Sequence, residues 1–150
     1  MKLTNSFDIS SSALTAQRLR MDVISSNIAN ADTTRTKLVN GKWVPYSRKI
    51  VTMEPKASSS PFAKILDTNM RDSTGEGVKV TKIFDDSAPF KQVYNPNHPD
   101  ADENGFVLMP NVDILKEMVD MISATRSYEA NVTALNASKA MITKALEIGR

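Results

Sequence analysis

The amino-acid sequence predicts an α+β protein: long N- and C-terminal helices pair as a coiled-coil-like arm, with a small antiparallel β module and a loop inserted between them. Two observations carry this reading. All seven prolines lie between Pro45 and Pro110, and four of the five glycines between Gly41 and Gly105, so both ends are clear of the residues that break helices. Apolar residues recur at helical spacing in both ends, whereas parts of the middle alternate with a period of two. A chain of 150 residues with 41% hydrophobic content suits one domain, or one core with arms. The expected division is 1–32 for the N-terminal helix, 33–110 for a linker and β module with an exposed loop at about 55–75, and 111–150 for the C-terminal helix.

Heptad counting from Phe7 picks out Phe7, Ser10, Leu14, Gln17, Met21, Ile24, Ile28 and Ala31 in the N-terminal arm, mostly apolar. A second row of Ile9, Ala13, Ala16 and Val23 widens the stripe with small side chains that permit close helix approach, and Arg18 with Asp22 forms an i,i+4 pair opposite. The middle supplies strands. In "LVNGKWV" the Asn40-Gly41 pair separates two strand-like runs, "GVKVTKIF" alternates as a half-buried strand does, and Phe106 to Met109 follows a second Asn-Gly turn. Pro55 to Gly75 is rich in serine and turn residues and reads as an exposed loop, with one helical turn at Phe62 to Leu66.

The C-terminal arm carries the stronger stripe: Ile114, Met118, Met121, Tyr128, Val132, Leu135, Ile142 and Leu146, interrupted only by Thr125 and Lys139. Leu115, Val119 and Ile122 broaden it early on. Pro110 and Asn111 suit a helix start. Asp113, Glu117 and Asp120 lie near the positive end of the helix dipole, and Lys144 and Gly149 suit its end. About 38 helical residues would extend ~57 Å, against ~37 Å for the N-terminal arm. A compact chain of this size is only about 40 Å across, so the sequence predicts an elongated subunit whose apolar stripe is incompletely covered. Such a surface is expected to pack against neighbouring subunits.

Composition and motifs exclude most other roles. With 19 basic and 17 acidic residues there is no large field for gripping nucleic acid or acidic lipid. Cysteine is absent, which removes disulfides, thiolate metal sites and thiol nucleophiles. The opening "MKLTNSFDISSSALT" has no apolar run, so no cleavable signal is expected, and no stretch is long enough to span a membrane. Asp100, Asp102, Asn104 and Gly105 match the first half of a calcium loop, but the twelfth position is Asn111 and Pro96 and Pro99 occupy the incoming helix, so a polar turn is expected. His98 stands alone. Gly75 and Gly77 open a G-x-G-x-x-G pattern whose third glycine is Val80. Asp85, Asp86, Asp100 and Asp102 sit in turn-like sequence with no apolar pocket to separate their pKa values. In "KLVNGKWVPYSRKI", Lys37, Lys42, Arg48 and Lys49 beside Trp43 and Tyr46 are expected to form one charged solvent face and one packed aromatic face of a hairpin. No cofactor, metal, nucleic acid, small-molecule substrate or enzymatic activity is expected.

"SSNIANADTT", Ser25 to Thr34, ends a good helix in asparagine, serine and threonine. Asn27 and Asn30 are expected to bond locally there, either as C-terminal caps or as the exit from a packed arm into a linker. The same stretch resembles the N-terminal signature of the flagellar rod and hook axial proteins. "SYEAN", Ser127 to Asn131, within "PNVDILKEMVDMISATRSYEANVTALNASKAMITKALEIGR", is similar to the C-terminal helix of that family, and "VYNPNHPDADENGFVLMPNVD", Val93 to Asp113, is most similar to its proximal-rod members. Roughly the first 50 and last 70 residues carry the likeness. After Thr33 the Gly-Tyr pair of hook and distal-rod relatives is missing, which argues against a hook protein, and Pro55 to Gly75 resembles an insertion.

The resemblance implies a structural subunit of the rod in the basal body, exported unfolded through the flagellar type III export apparatus. It implies polymerisation with copies of itself and other rod proteins, the paired terminal helices lining a central channel. By motif match Asn27, Ile28, Ala29 and Asn30 would lie where the N-terminal helix meets the linker, and Tyr128, Glu129 and Asn131 in inter-subunit packing. With the stripes, the expected assembly residues are Leu14, Met21, Ile24, Asn27, Ile28, Asn30, Met118, Met121, Tyr128, Glu129, Asn131, Val132, Leu135, Ile142 and Leu146. A soluble coiled-coil adaptor outside the flagellum is the alternative reading, and a small enzyme the third.

Overall fold

The computed structural model describes residues 5–39, 41–56 and 77–148. The helical turn at 62–66 and most of the 55–75 loop lie outside the described residues. In chain order the elements are α1 (Asn5–Ala29), β1 (Lys37–Val39), β2 (Lys42–Val44), β3 (Lys49–Pro55), β4 (Val78–Asp85), β5 (Lys91–Tyr94), β6 (Phe106–Met109) and α2 (Ile114–Ile148). The fold class is the α+β arrangement the sequence predicts, with N- and C-terminal helices packed together and small antiparallel ladders between them.

Helix ends follow local chemistry. α1 closes at the asparagine-rich motif, where the Asn30 backbone and side-chain N–H groups both donate to Ser26 O, at 3.1 and 2.8 Å. This satisfies a carbonyl that the ending helix would orphan. At α2 the cap is Asp113 rather than Asn111: its Oδ1 accepts the Leu115 N–H at 3.1 Å, and its carbonyl accepts the Glu117 N–H at 2.9 Å.

The middle forms three separate two-stranded ladders among the described residues. β1 and β2 pair with Leu38 opposite Trp43 and Val39 opposite Lys42. That register leaves a two-residue loop, and Gly41 takes the positive φ of 78° such a hairpin needs. β5 and β6 pair with Tyr94 opposite Phe106 and Val93 opposite Val107. The Tyr94 and Phe106 rings meet edge to face at 5.3 Å. The β3–β4 pair is flanked by backbone bonds from Asp86 N–H to Arg48 O and from Lys56 N–H to Gly77 O. Strands β3 and β5 are additions to the sequence reading. The run Ile50, Val51, Thr52 is the β-branched signal for the first, while the four residues of β5 are too short for periodicity to reveal.

The chain divides into two compact units. One comprises the described residues of Met1–Arg20, Thr52–Lys82 and Ala124–Arg150. Its buried positions include Ser10, Ala16, Gly77 and Ala124, small residues that let backbones approach. There Ser12 Oγ donates to Ile9 O at 2.7 Å and accepts the Val78 N–H at 3.0 Å, which brings β4 onto α1. Gly77 has φ of 117°, and a Cβ on it would overlap Ser12 Oγ, so glycine is needed for both conformation and space.

The other unit comprises Met21–Val51 and Ile83–Ser123. Val23, Ile24, Ala31, Tyr46, Val107 and Val112 are buried in it, with Ala31, Tyr46 and Val112 forming one cluster. The first turns of α2 add what the sequence reading leaves open. Glu117, read from sequence only as an acidic residue near the positive end of the helix dipole, is buried, and the uncovered part of the apolar stripe falls on Leu115, Met118, Val119 and Ile122, which are exposed. A hydrophobic stripe shows which side of a helix is apolar without showing what that side faces.

Candidate assembly site

The buried polar groups of the second unit converge on Asn27, in the last turn of α1 and 1% exposed. Its side-chain oxygen accepts the Lys49 N–H at 2.9 Å and the Tyr46 hydroxyl at 3.0 Å. Its side-chain nitrogen donates to Lys49 O at 2.9 Å and to Glu117 Oε2 at 3.0 Å. Two donors and two acceptor sites are all filled. The Lys49 backbone fixes the orientation of the amide, because an N–H can only donate and a carbonyl only accept. Asn27 thereby pairs with Lys49 as a neighbouring strand would, tying α1 to the start of β3.

Glu117, also 1% exposed, reaches the same centre from α2. A buried carboxylate needs hydrogen bonds and a counter-charge. Asn27 supplies one bond, and Arg48 supplies the rest through Nε to Oε1 at 2.6 Å. Arg48 also faces Asp86 at 3.4 Å and Asp120 at 3.6 Å. Burial works against its charge, but hydrogen bonding and attraction from Glu117, then from Asp86, outweigh it and hold the guanidinium above its ordinary pKa. The Arg48 N–H donates to Asn111 Oδ1 at 2.8 Å, and Asn111 Nδ2 donates to Ala88 O at 3.0 Å. Ser26 Oγ lies 3.4 Å from the Tyr46 oxygen; since Tyr46 directs its one hydrogen to Asn27, Ser26 is the donor.

Four segments distant in sequence therefore meet in one network: the end of α1, the approach to β3, the turn after β4 and the start of α2. Its groups are turned inward and bonded to one another, so its chemistry is positional: it sets the axial register of α1 against α2. A second tie lies nearby in the chain. Asp100 accepts from Arg35 and from Thr34 Oγ1, the latter at 2.8 Å. The Arg35 hydrogen bond first, then that of Thr34, holds the Asp100 carboxyl below its ordinary pKa. The would-be calcium loop is thus a hairpin turn, with Gly105 N–H donating to Asp102 O at 2.8 Å.

The residues singled out from sequence fall into three groups. Ile24 and Asn27 are buried; Leu14, Met21, Ile28, Asn30, Met121, Tyr128, Asn131, Val132, Leu135 and Ile142 are half-buried; Met118, Glu129 and Leu146 are exposed. Asn30 and Asn131 bond within their own helices, to Ser26 O and Ser127 O, each at 2.8 Å, and Glu129 pairs with Arg126 at 3.0 Å. Asn30 meets the expectation of a local bond; Asn27 does not. Arg48 and Tyr46 lie outside that set, because the sequence places them on a hairpin with one charged solvent face and one packed aromatic face. Tyr46 is packed and Arg48 points inward, while Trp43 of that hairpin is exposed. A lone arginine and a glutamate 69 positions apart carry no sequence signal of their pairing.

Residues 7–37 match the family described as Flagella basal body rod protein, and residues 103–148 match Flagellar basal body rod FlgEFG protein C-terminal. Over the full length of both chains, the sequence is 59% identical to the flagellar basal-body rod protein FlgC of Bacillus subtilis (strain 168). The chain belongs to the flagellar basal-body rod protein FlgC family. FlgC of Borreliella burgdorferi is 45% identical, with 99% of this chain and 98% of that one covered, and FlgC of Salmonella typhimurium is 43% identical over the full length of both. As a rod protein of the flagellar basal body, this FlgC-family chain has a site that joins its two family-matching segments. Asn27 lies in the first and Asn111, Glu117 and Asp120 in the second, while Tyr46, Arg48, Lys49 and Asp86 come from between.

Proposed function

We propose that this chain is a structural subunit of the proximal rod, polymerising through its terminal helices with copies of itself and other rod proteins into the hollow shaft between motor and hook. It reaches that position through the flagellar type III export apparatus. The observation that carries this reading is the division of labour on α2. Glu117 locks the helix to α1 through Asn27, while Leu115, Met118, Val119, Ile122, Met141 and Leu146 stay exposed. A soluble monomer seldom leaves that much apolar helix surface bare, and a heterologous contact that does not close on itself propagates as a helical assembly. Within this reading Asn27 acts inside the subunit, Ile24 supports it, and Met118, Glu129 and Leu146 are contacts between subunits. The half-buried residues Leu14, Met21, Ile28, Asn30, Met121, Tyr128, Asn131, Val132, Leu135 and Ile142 complete the seam. A locked register suits a shaft under torque, because slippage between α1 and α2 would have to break several charge-assisted hydrogen bonds together.

Quantitative mass spectrometry of detergent-extracted basal bodies, beside the cytosolic fraction of the same cells, tests the proposal. Enrichment in basal bodies at a few copies per structure is expected. A discrete cytosolic oligomer absent from basal bodies would overturn the rod reading in favour of an adaptor.

A further inference from the structure

The exposed apolar residues of early α2 form a pattern. Leu115 (76% exposed), Met118, Val119 (66%) and Ile122 stand at i, i+3, i+4 and i+7, the spacing with which a helix anchors itself in an apolar groove. Glu117 occupies the opposite side and is buried, so these four side chains are turned outward by the same lock that fixes the helix. The same unit contains an open groove of about 410 Å³ between the β1–β2 hairpin and the 100–102 turn. Trp43, Val44, Ala101 and Leu108 give it an apolar lining, and its polar rim carries the two carboxylates Asp100 and Asp102 against the one cation Lys42; Asp100 is already engaged by Arg35 and Thr34. Trp43 and Leu108 are exposed despite their size. Lys116, beside the anchor row, is exposed too and supplies the charge complementary to Asp102.

Resting on the rod reading, we infer that the Leu115–Met118–Val119–Ile122 face of one subunit seats in the Trp43–Leu108 groove of a second copy of this chain. Two different patches meeting head to tail form a heterologous contact, which leaves one face and one groove free at the ends and so propagates. Four anchors cover far less than the roughly 800 Å² per partner of a stable pairwise complex. The contact therefore holds in the polymer, where neighbours reinforce it, and not between two chains in dilute solution.

The absence of cysteine gives a clean test. Full-length chains carrying Trp43→Cys and Val119→Cys, each with a different tag, are produced together in the same cells, and extracted basal bodies are treated with a mild oxidant. A disulfide-linked dimer bearing both tags is expected, and neither single variant alone should give its own dimer. Leu108→Cys with Ile122→Cys serves as a second pair should Trp43→Cys disturb the hairpin. Both tags present in basal bodies without a mixed dimer from either pair overturn the contact and leave the rod reading intact. Absence of the unmodified chain from basal bodies overturns the rod reading itself, and this inference with it. In parallel, Val119→Asp is expected to leave the urea midpoint of the purified chain unchanged while lowering incorporation roughly tenfold or more; incorporation at the unmodified level overturns the contact.

Discussion

Asn27 and Asn30 stand three positions apart in one motif, yet the structure gives them different work. Asn27→Asp replaces a donor with an acceptor beside the Glu117 carboxylate and the Lys49 carbonyl, so a loss of about 3–5 kcal/mol is expected. Asn30→Ala removes bonds within its own helix end and is expected to cost about 1 kcal/mol or less; urea unfolding of the two purified variants measures the contrast. Arg48→Met leaves the Glu117 charge buried and unpaired, at about 3–5 kcal/mol. The double variant Arg48→Met, Glu117→Leu is expected to be more stable than the sum of its single changes, since no unpaired charge remains; a double-mutant cycle reads the difference. At Asp100 the folded pKa lies below the unfolded one. Its stabilisation is therefore complete above about pH 4, the ordinary aspartate range, and is lost as pH falls through the lower folded value. Wild type is expected to exceed Asp100→Asn in urea midpoint at neutral pH, with the gap closing in acid.

Among elements, helices are the most legible part. A proline-free arm with apolar residues at helical spacing leaves little else to form, and among the described residues the two helices run over Asn5–Ala29 and Ile114–Ile148. The hairpin at residues 37–44 was legible through its Asn-Gly turn. Pairing between strands was not: β3 and β4 are separated by 22 residues, and their partnership depends on how the chain returns. Gly77 illustrates the point. Its place beside Val78 suggests a turn, but the reason for glycine is the Ser12 hydroxyl of α1. Gly77→Ala is expected to cost about 1–3 kcal/mol, whereas Ser12→Ala costs about 1 kcal/mol by leaving the Val78 N–H without its acceptor. Thermal unfolding of each variant and of the pair checks this; the pair should show that removing the hydroxyl relieves part of the Gly77→Ala penalty.

At the scale of the whole molecule, exposed apolar side chains combined with a net charge of only +2 leave weak repulsion to oppose association. The purified chain is expected to associate more as sulfate is added and less on cooling, since both conditions act on apolar burial; sedimentation velocity across the two series measures it. Sequence alone determined the α+β class, the two terminal helices, the Asn-Gly hairpin and the family likeness, because each rests on residues that are neighbours in the chain. Tertiary structure decided which way those elements face. It turned Glu117 inward and Leu115, Val119 and Ile122 outward, and it gave Asn27 to Lys49 and Glu117 instead of to its own helix end. The physical reason is that periodicity records the solvent preference of one element by itself. A buried charge is tolerated only where a partner from elsewhere in the chain arrives, and Arg48 reaches Glu117 across 69 positions that no local pattern connects.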